Sequence, residues 1–446
     1  MPPAWLGIAG GNPDLLTAEG GEGEGMRGVA RSGPHPDLLR KSVPLPQGSP
    51  ELRRRAVEGC NDQPSFGWGY RMNRNARSPG NRPRLMRAIK TALAAATFAT
   101  AIPAYADTLL LGTYPDKMFT VDESTGAIKE RIQLEAGLPT SMRLSNDRKR
   151  IYVTTITTSG IVVLDATTRK ILNQFSLNTP TTRYRFNGGV PDPSGRYFYT
   201  QLIRLDKELD RYKVSKSMYA VIDLQQKKIV RTADLETEDD TLAGMRSAFM
   251  MSPDGKTLYL FRDKVLVIDA ATLKVSERLD LAKPETTGME NVSFGGGVSA
   301  LQDPNQFVSL FNASDPYIHN KIFGIGRFDL TRRSFDFTPI GPIPNAMSGL
   351  EITPDGKDGY TVVTTGTTGN KRCEFWHFDM ASMKLLEKTE FHCRSRFTFG
   401  MSGNGEKLYI YGASYDIEVY DAKTLKLDRT WDLAADATMA GMLILK

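Results

Sequence analysis

The 446-residue chain has little of what catalytic centres are built from: three cysteines, four histidines and four tryptophans. No Cys-x-x-Cys-His occurs, which excludes covalent attachment of a c-type haem to this polypeptide. No His-x-x-x-His, Gly-x-Ser-x-Gly or Walker-type loop is present, and Gly295-Gly296-Gly297 opens no evident helix, so it is no phosphate cradle. Past residue 106 the histidines are His319, His377 and His392, two of them within one expected hairpin. That is thin material for acid–base catalysis or a metal centre, and no cofactor or metal is expected on this chain itself. The net charge of +6 invites a nucleic-acid reading, but its distribution argues against one. Residues 1–106 hold 14 Lys/Arg against 8 Asp/Glu, whereas residues 107–446 hold 43 of each. A neutral main body offers no basic groove for phosphates.

The basic excess accompanies a segment that resembles a secretory signal. Met86-Arg87-Ala88-Ile89-Lys90 is short and basic, an apolar run follows from Thr91 to Ile102, and Ala104-Tyr105-Ala106 has the small-x-small form of a cleavage site. The run is too short for a permanent bilayer span. The expectation is a signal peptide over 86–106, cleaved after Ala106, export to the periplasm, and no stable membrane span after processing. Residues 1–85, rich in Gly, Pro and Arg without periodicity, read as a disordered leader or as a start codon placed too far upstream.

From residue 107 onward two cysteines remain, Cys373 and Cys393, and an even count in an exported protein points to a disulfide. Pairing of Phe375–Asp379 with Lys388–His392 across a turn at Ala381–Lys384 would set them almost opposite one another. A metal site from Cys373, His377, His392 and Cys393 is the weaker alternative, because adjacent strand residues His392 and Cys393 point to opposite faces.

What the chain does have is a repeat. Seven times a strand ends in an apolar or aromatic residue plus Asp, followed by a short turn carrying Thr, Ser or Gln. The aspartates are Asp122, Asp165, Asp223, Asp269, Asp329, Asp379 and Asp421, at steps of 43, 58, 46, 60, 50 and 42 residues. A period in the forties, stretched by insertions, is the mark of a β-propeller. Residues 107–446 are therefore expected to form an all-β, seven-bladed propeller. The first repeat lacks an inner strand and the last leaves one over, Thr438 to Leu445, so that strand should enter the first blade and close the ring. Arg204 to Lys216, mixed in charge, reads as a protruding hairpin of the third blade.

Loops that feed the inner strands of a propeller converge on one mouth of the channel. They place Arg183, Arg185, Arg246, Met289, Glu290, Arg394 and Arg396 as candidates for a ligand- or partner-facing rim. The arginines would attract an anion, or else form ordinary ion pairs with Glu236, Glu238, Asp239 and Asp240. Met245, Met289, Met347 and Met439 recur in these loops, and packing is the plainer reading of them.

Ile151-Tyr152-Val153-Thr154-Thr155, Ser252-Pro253-Asp254-Gly255-Lys256 and Tyr420-Asp421-Ala422-Lys423-Thr424-Leu425 resemble the exported bacterial propellers named after a Tyr-Val-Thr-Asn motif. With the insertion at Arg204–Lys216, an irregular fifth repeat and the final run Tyr420 to Leu433, the region from Asp107 to Lys446 is similar to the β subunit of quinohaemoprotein amine dehydrogenase. The resemblance implies a periplasmic non-redox subunit. Its partners would be a dihaem cytochrome-like α subunit and a small γ subunit bearing a tryptophan-derived quinone, so that quinone and haem c sit on other chains. The pair Cys373/Cys393 departs from that pattern, and no catalytic residue is carried over. Two other readings stay open: a stand-alone periplasmic binding or assembly scaffold, and a lactonase-type hydrolase using Glu290 and Arg246.

Overall fold

The computed structural model describes residues 107–445, apart from 240–247, 283–287, 295–302, 316, 318, 319, 345 and 368. The leader, the signal segment, the triplet Gly295–Gly297, His319 and Arg246 lie outside the described residues. The described residues form seven antiparallel sheets, each with consecutive strands running from the channel outward: a seven-bladed propeller. The inner strands are Ala437–Leu445 in blade one, then Pro139–Leu144, Thr182–Pro191, Ala248–Met251, Asn291–Phe294, the broken pair Ala346–Met347 and Glu351–Ile352, and Thr398–Met401 in blade seven.

The ring closes as its sequence predicts. Ala437–Leu445 pairs with Thr108–Thr113, with Leu109 opposite Ile444, Leu110 opposite Leu443 and Leu111 opposite Met442. Thr113 then lies opposite Ala437, so residues 438–441 bulge out of the ladder. Side chains alternate across each sheet, and both faces are buried because a blade has a neighbour on each side. Leu110 joins a cluster with Met142, Ile151 and Val153 of blade two, whereas Leu109 and Leu111 join Tyr409, Ile417 and Trp431 of blade seven. Five further clusters fill the remaining gaps, from Tyr152 with Phe198 between blades two and three to Phe375 with Phe399 between six and seven. Seven wedges of apolar side chains thus hold seven sheets in a circle.

The seven aspartates do local work. Asp165 Oδ1 accepts hydrogen bonds from the amides of Thr167 and Thr168 and from the Thr168 hydroxyl. Asp421 does the same for Lys423 and Thr424, and Asp223 for Gln225 and Gln226. Four residues after each aspartate the backbone turns left-handed: Gly126, Arg169, Lys227, Leu273, Arg333, Met383 and Leu425 have φ between 53° and 75°. Only one of these is glycine, so the carboxylate cap sustains a conformation that ordinary side chains resist.

The expected disulfide is present, Cys373 to Cys393, with Cα atoms 5.1 Å apart. Cys373 sits in the strand Arg372–Asp379 opposite Phe391, and Cys393 lies two residues beyond the end of the strand Lys384–Phe391. The insertion in blade three is a hairpin as expected, with Tyr212 opposite Lys207 and Val214 opposite Leu205.

Candidate functional site

In five blades the chain passes from the inner to the second strand through a similar tight turn. The first amide of the turn bonds back to a carbonyl five residues on: Ser145 to Arg150, Asp192 to Tyr197, Ser252 to Thr257, Thr353 to Asp358 and Ser402 to Lys407, at 2.8–2.9 Å. These turns put the blades in common register. Two residues before the turn stand Arg143, Val190, Met250, Glu351 and Gly400, and all five line one cavity of about 370 Å³. Ala440, Gly441, Met442, Leu443 and Ile444 supply the wall from blade one, and Asp303 and Pro304 supply it from blade five. The volume falls in the range of small-ligand sites.

The cavity walls are mostly apolar: Met142, Met250, Met251, Met401, Met442, Phe249 and Phe399 all contribute. Gly441 lies in the bulge at φ 94°, and a β-carbon there would meet nothing within 4 Å. Four charged residues line the cavity, Arg143, Arg148, Asp303 and Glu351, and among the described residues Arg143 is the one of them without a partner. Its guanidinium makes no hydrogen bond or ion pair with any described residue, and desolvation by the surrounding protein lowers its pKa from the usual value. It is nonetheless only half-buried, because the channel water reaches it. Glu351 occupies the equivalent place on blade six, and burial followed by the Glu351 charge pushes the neighbouring Tyr411 phenol well above its usual pKa.

None of the described rim residues expected from the sequence lines this cavity, and Arg246 lies outside the described residues. Arg183 and Arg185 lie opposite Leu205 and Ile203, beyond the four-stranded part of blade three, which ends where Met218 faces Leu202. They are exposed on that ribbon. Arg394 is committed to blade seven through Asp416 at 3.0 Å and Glu418 at 2.9 Å, with 9% of its side chain exposed. Arg396 is exposed and has a partner of its own. Met289 is packed in the wedge between blades four and five, as its plainer reading had it. Glu290 is half-buried, with Oε2 lacking a hydrogen-bond partner. Glu236, Glu238 and Asp239 are held by Arg278 at 2.7, 3.1 and 2.7 Å, not by any rim arginine named from the sequence, and Asp240 lies outside the described residues.

His377 Nε2 sits 2.7 Å from Asp358 Oδ1 and the ring stacks on Tyr360, while His392 is exposed. With both cysteines in the disulfide, the alternative metal set from Cys373, His377, His392 and Cys393 has no thiolate to offer. Inner-strand residues escaped the sequence reading because they look like core. The signal was there in Arg143, a lone basic residue in Pro-Thr-Ser-Met-Arg-Leu, where the matched strands read Ala-Phe-Met-Met and Thr-Phe-Gly-Met.

No known protein family matches this sequence, and no curated protein does. Among solved structures the chain is similar to a functionally unknown protein from Desulfotomaculum acetoxidans, with 14% identity over 76% of this chain and 98% of the other and a TM-score of 0.48. It is also similar to Kuenenia stuttgartiensis hydrazine synthase, with 17% identity over 64% and 77% of the two chains and a TM-score of 0.41. A third likeness is to dihydro-heme d1 dehydrogenase NirN, with 13% identity over 76% and 75% and a TM-score of 0.43. The propeller assignment stands on the strand pairing and the seven inter-blade wedges.

Proposed function

We propose that this chain is an exported, non-redox propeller subunit that docks a second polypeptide, in the manner of the β subunit of quinohaemoprotein amine dehydrogenase. In that role it forms part of the substrate pocket and the docking face for a small quinone-bearing subunit, beside a dihaem cytochrome-like subunit. The observation that carries the reading is the placement of exposed apolar side chains. Tyr114, Ile156, Leu209, Tyr212, Val214, Tyr317 and Tyr415 all belong to turns between second and third strands, and so to one face of the disc. The other large exposed apolar residues, Ile171, Leu172, Val230, Leu386 and Leu427, lie on the outermost strands. Among the described residues the opposite face has none. Leu209, Tyr212 and Val214 share one hairpin, Tyr114, Ile156, Tyr317 and Tyr415 come from four other blades, and the bias to one face favours that face for association. The signal segment 86–106 and the disulfide both suit an oxidising compartment.

Purification of the native protein under mild conditions tests this. The expected result is co-elution with a protein showing a haem absorption spectrum and with a small quinone-staining peptide. The double variant Leu209→Lys, Tyr212→Lys should lose both partners without a change in thermal midpoint. Elution of the native chain alone would sink the reading. The stand-alone binding scaffold is the second reading, favoured by the preformed cavity of about 370 Å³.

A further inference from the structure

We infer that the channel binds a small organic carboxylate of single charge, with Arg143 as its anchor and the wall around Met442 as the bed for its body. The inference holds under either reading above, because it concerns a site within this chain alone.

The argument starts from charge. An arginine guanidinium stays protonated in proteins and presents a planar fork of donors suited to a carboxylate. Arg143 is half-buried, and a guanidinium even partly withdrawn from water is normally paired, because withdrawing an unpaired charge is costly. Two other part-buried arginines follow that rule: Arg394 has Asp416 and Glu418, and Arg278 has Asp239. Of these three, Arg143 has no counter-charge among the described residues, and it faces the cavity.

Shape and lining narrow the class. Of the methionine and phenylalanine residues around the cavity, Met442 is part-exposed while the others are packed in the inter-blade wedges, and its thioether can adapt to the outline of an apolar body. Gly441 leaves open space where any other residue would project a side chain, and its positive φ bars most replacements. Glu351 and Asp303 set two negative groups in the lining against Arg143 and Arg148, so the lining is balanced in charge and gives a ligand with several negative charges no net attraction. A phosphate ester or a dicarboxylate therefore fits less well than a monocarboxylate. Nucleic acid fits least.

The test is calorimetric titration of the full chain with benzoate and octanoate, against their neutral amides benzamide and octanamide. At least one carboxylate should bind at a single site, with its amide at least about tenfold weaker, the loss expected for one charge-assisted contact. Arg143→Gln should weaken the carboxylate at least about tenfold and leave the amide unchanged. Arg143→Lys should recover only part, because an ammonium lacks the fork. Equal affinity of acid and amide would overturn the inference, as would full carboxylate affinity in Arg143→Gln, or binding of neither carboxylate. The acid–amide comparison uses the unaltered chain, so it decides the matter even if Arg143→Gln fails to fold. Failure here leaves the docking proposal untouched, since that one is read from co-purification.

Discussion

The two faces of the disc are built on different chemistry. One face carries the turns between first and second strands and between third and fourth strands. There the chain repeats itself: aspartates cap the turns, as Asp165, Asp269 and Asp421 do after the third strand and Asp147, Asp254 and Asp355 do after the first. The opposite face carries the turns between second and third strands, which range from the two-residue turn at Arg262–Asp263 to the ribbon of blade three. One is the ribbon with Leu209 at its tip, another holds Tyr317, and a third spans Gly366–Lys371 beside the disulfide. One face is uniform and polar and defines blade geometry, whereas the other is varied and carries the exposed apolar side chains.

Acid should separate the faces most strongly. The turn carboxylates of Asp165, Asp223, Asp269, Asp379 and Asp421 are held below their usual pKa by hydrogen bonds from their own turns. Asp122 is held lower still, first by Lys129 and then by Ser124, and Asp355, bonded by Thr353, falls to about 2. A carboxylate with a depressed folded pKa binds protons more readily when unfolded. Its stabilisation is therefore complete above about pH 4 and lost as pH falls through the folded values. Urea midpoints should be flat down to about pH 5 and drop steeply between about pH 4 and pH 2. A midpoint unchanged at the acid end would remove the assigned role of the aspartates.

Next in size is the covalent link on the varied face. The disulfide spans 20 residues, and its removal by reduction or by Cys373→Ala with Cys393→Ala should cost about 3 kcal/mol in urea unfolding. Single caps come third. Asp421→Ala should cost about 1 kcal/mol, and Asp421→Asn, which keeps an acceptor, should recover most of it. In the other direction Lys227→Gly, at φ 56°, should raise stability by up to about 1 kcal/mol in the same assay. Smallest of all, Ile156→Ser and Tyr415→Ser on the apolar face should stay within about 0.5 kcal/mol of the parent. A larger loss there would mean those side chains pack within the blade, and the contrast between faces would weaken.

The aspartate turns could be read from sequence because each hydrogen bond spans two or three residues. The disulfide could be read because its partners flank one hairpin. The rim could not. Arg394 finds its acids 22 and 24 residues away on a neighbouring strand of blade seven, and the ribbon of blade three carries Arg183 and Arg185 past the end of the four-stranded sheet. Arg143 looked like one more strand residue until five matched turns placed it beside Met250 and Glu351 in a common ring.

The amino-acid order by itself determined the seven blades, their capped turns and the closing strand, since these follow from local hydrogen bonds and from alternation at period two. Only the folded ring decided which residues face the channel and which charge is left unpaired there. Those properties depend on side chains from six or seven distant strands meeting around one axis, and no stretch of sequence carries that geometry.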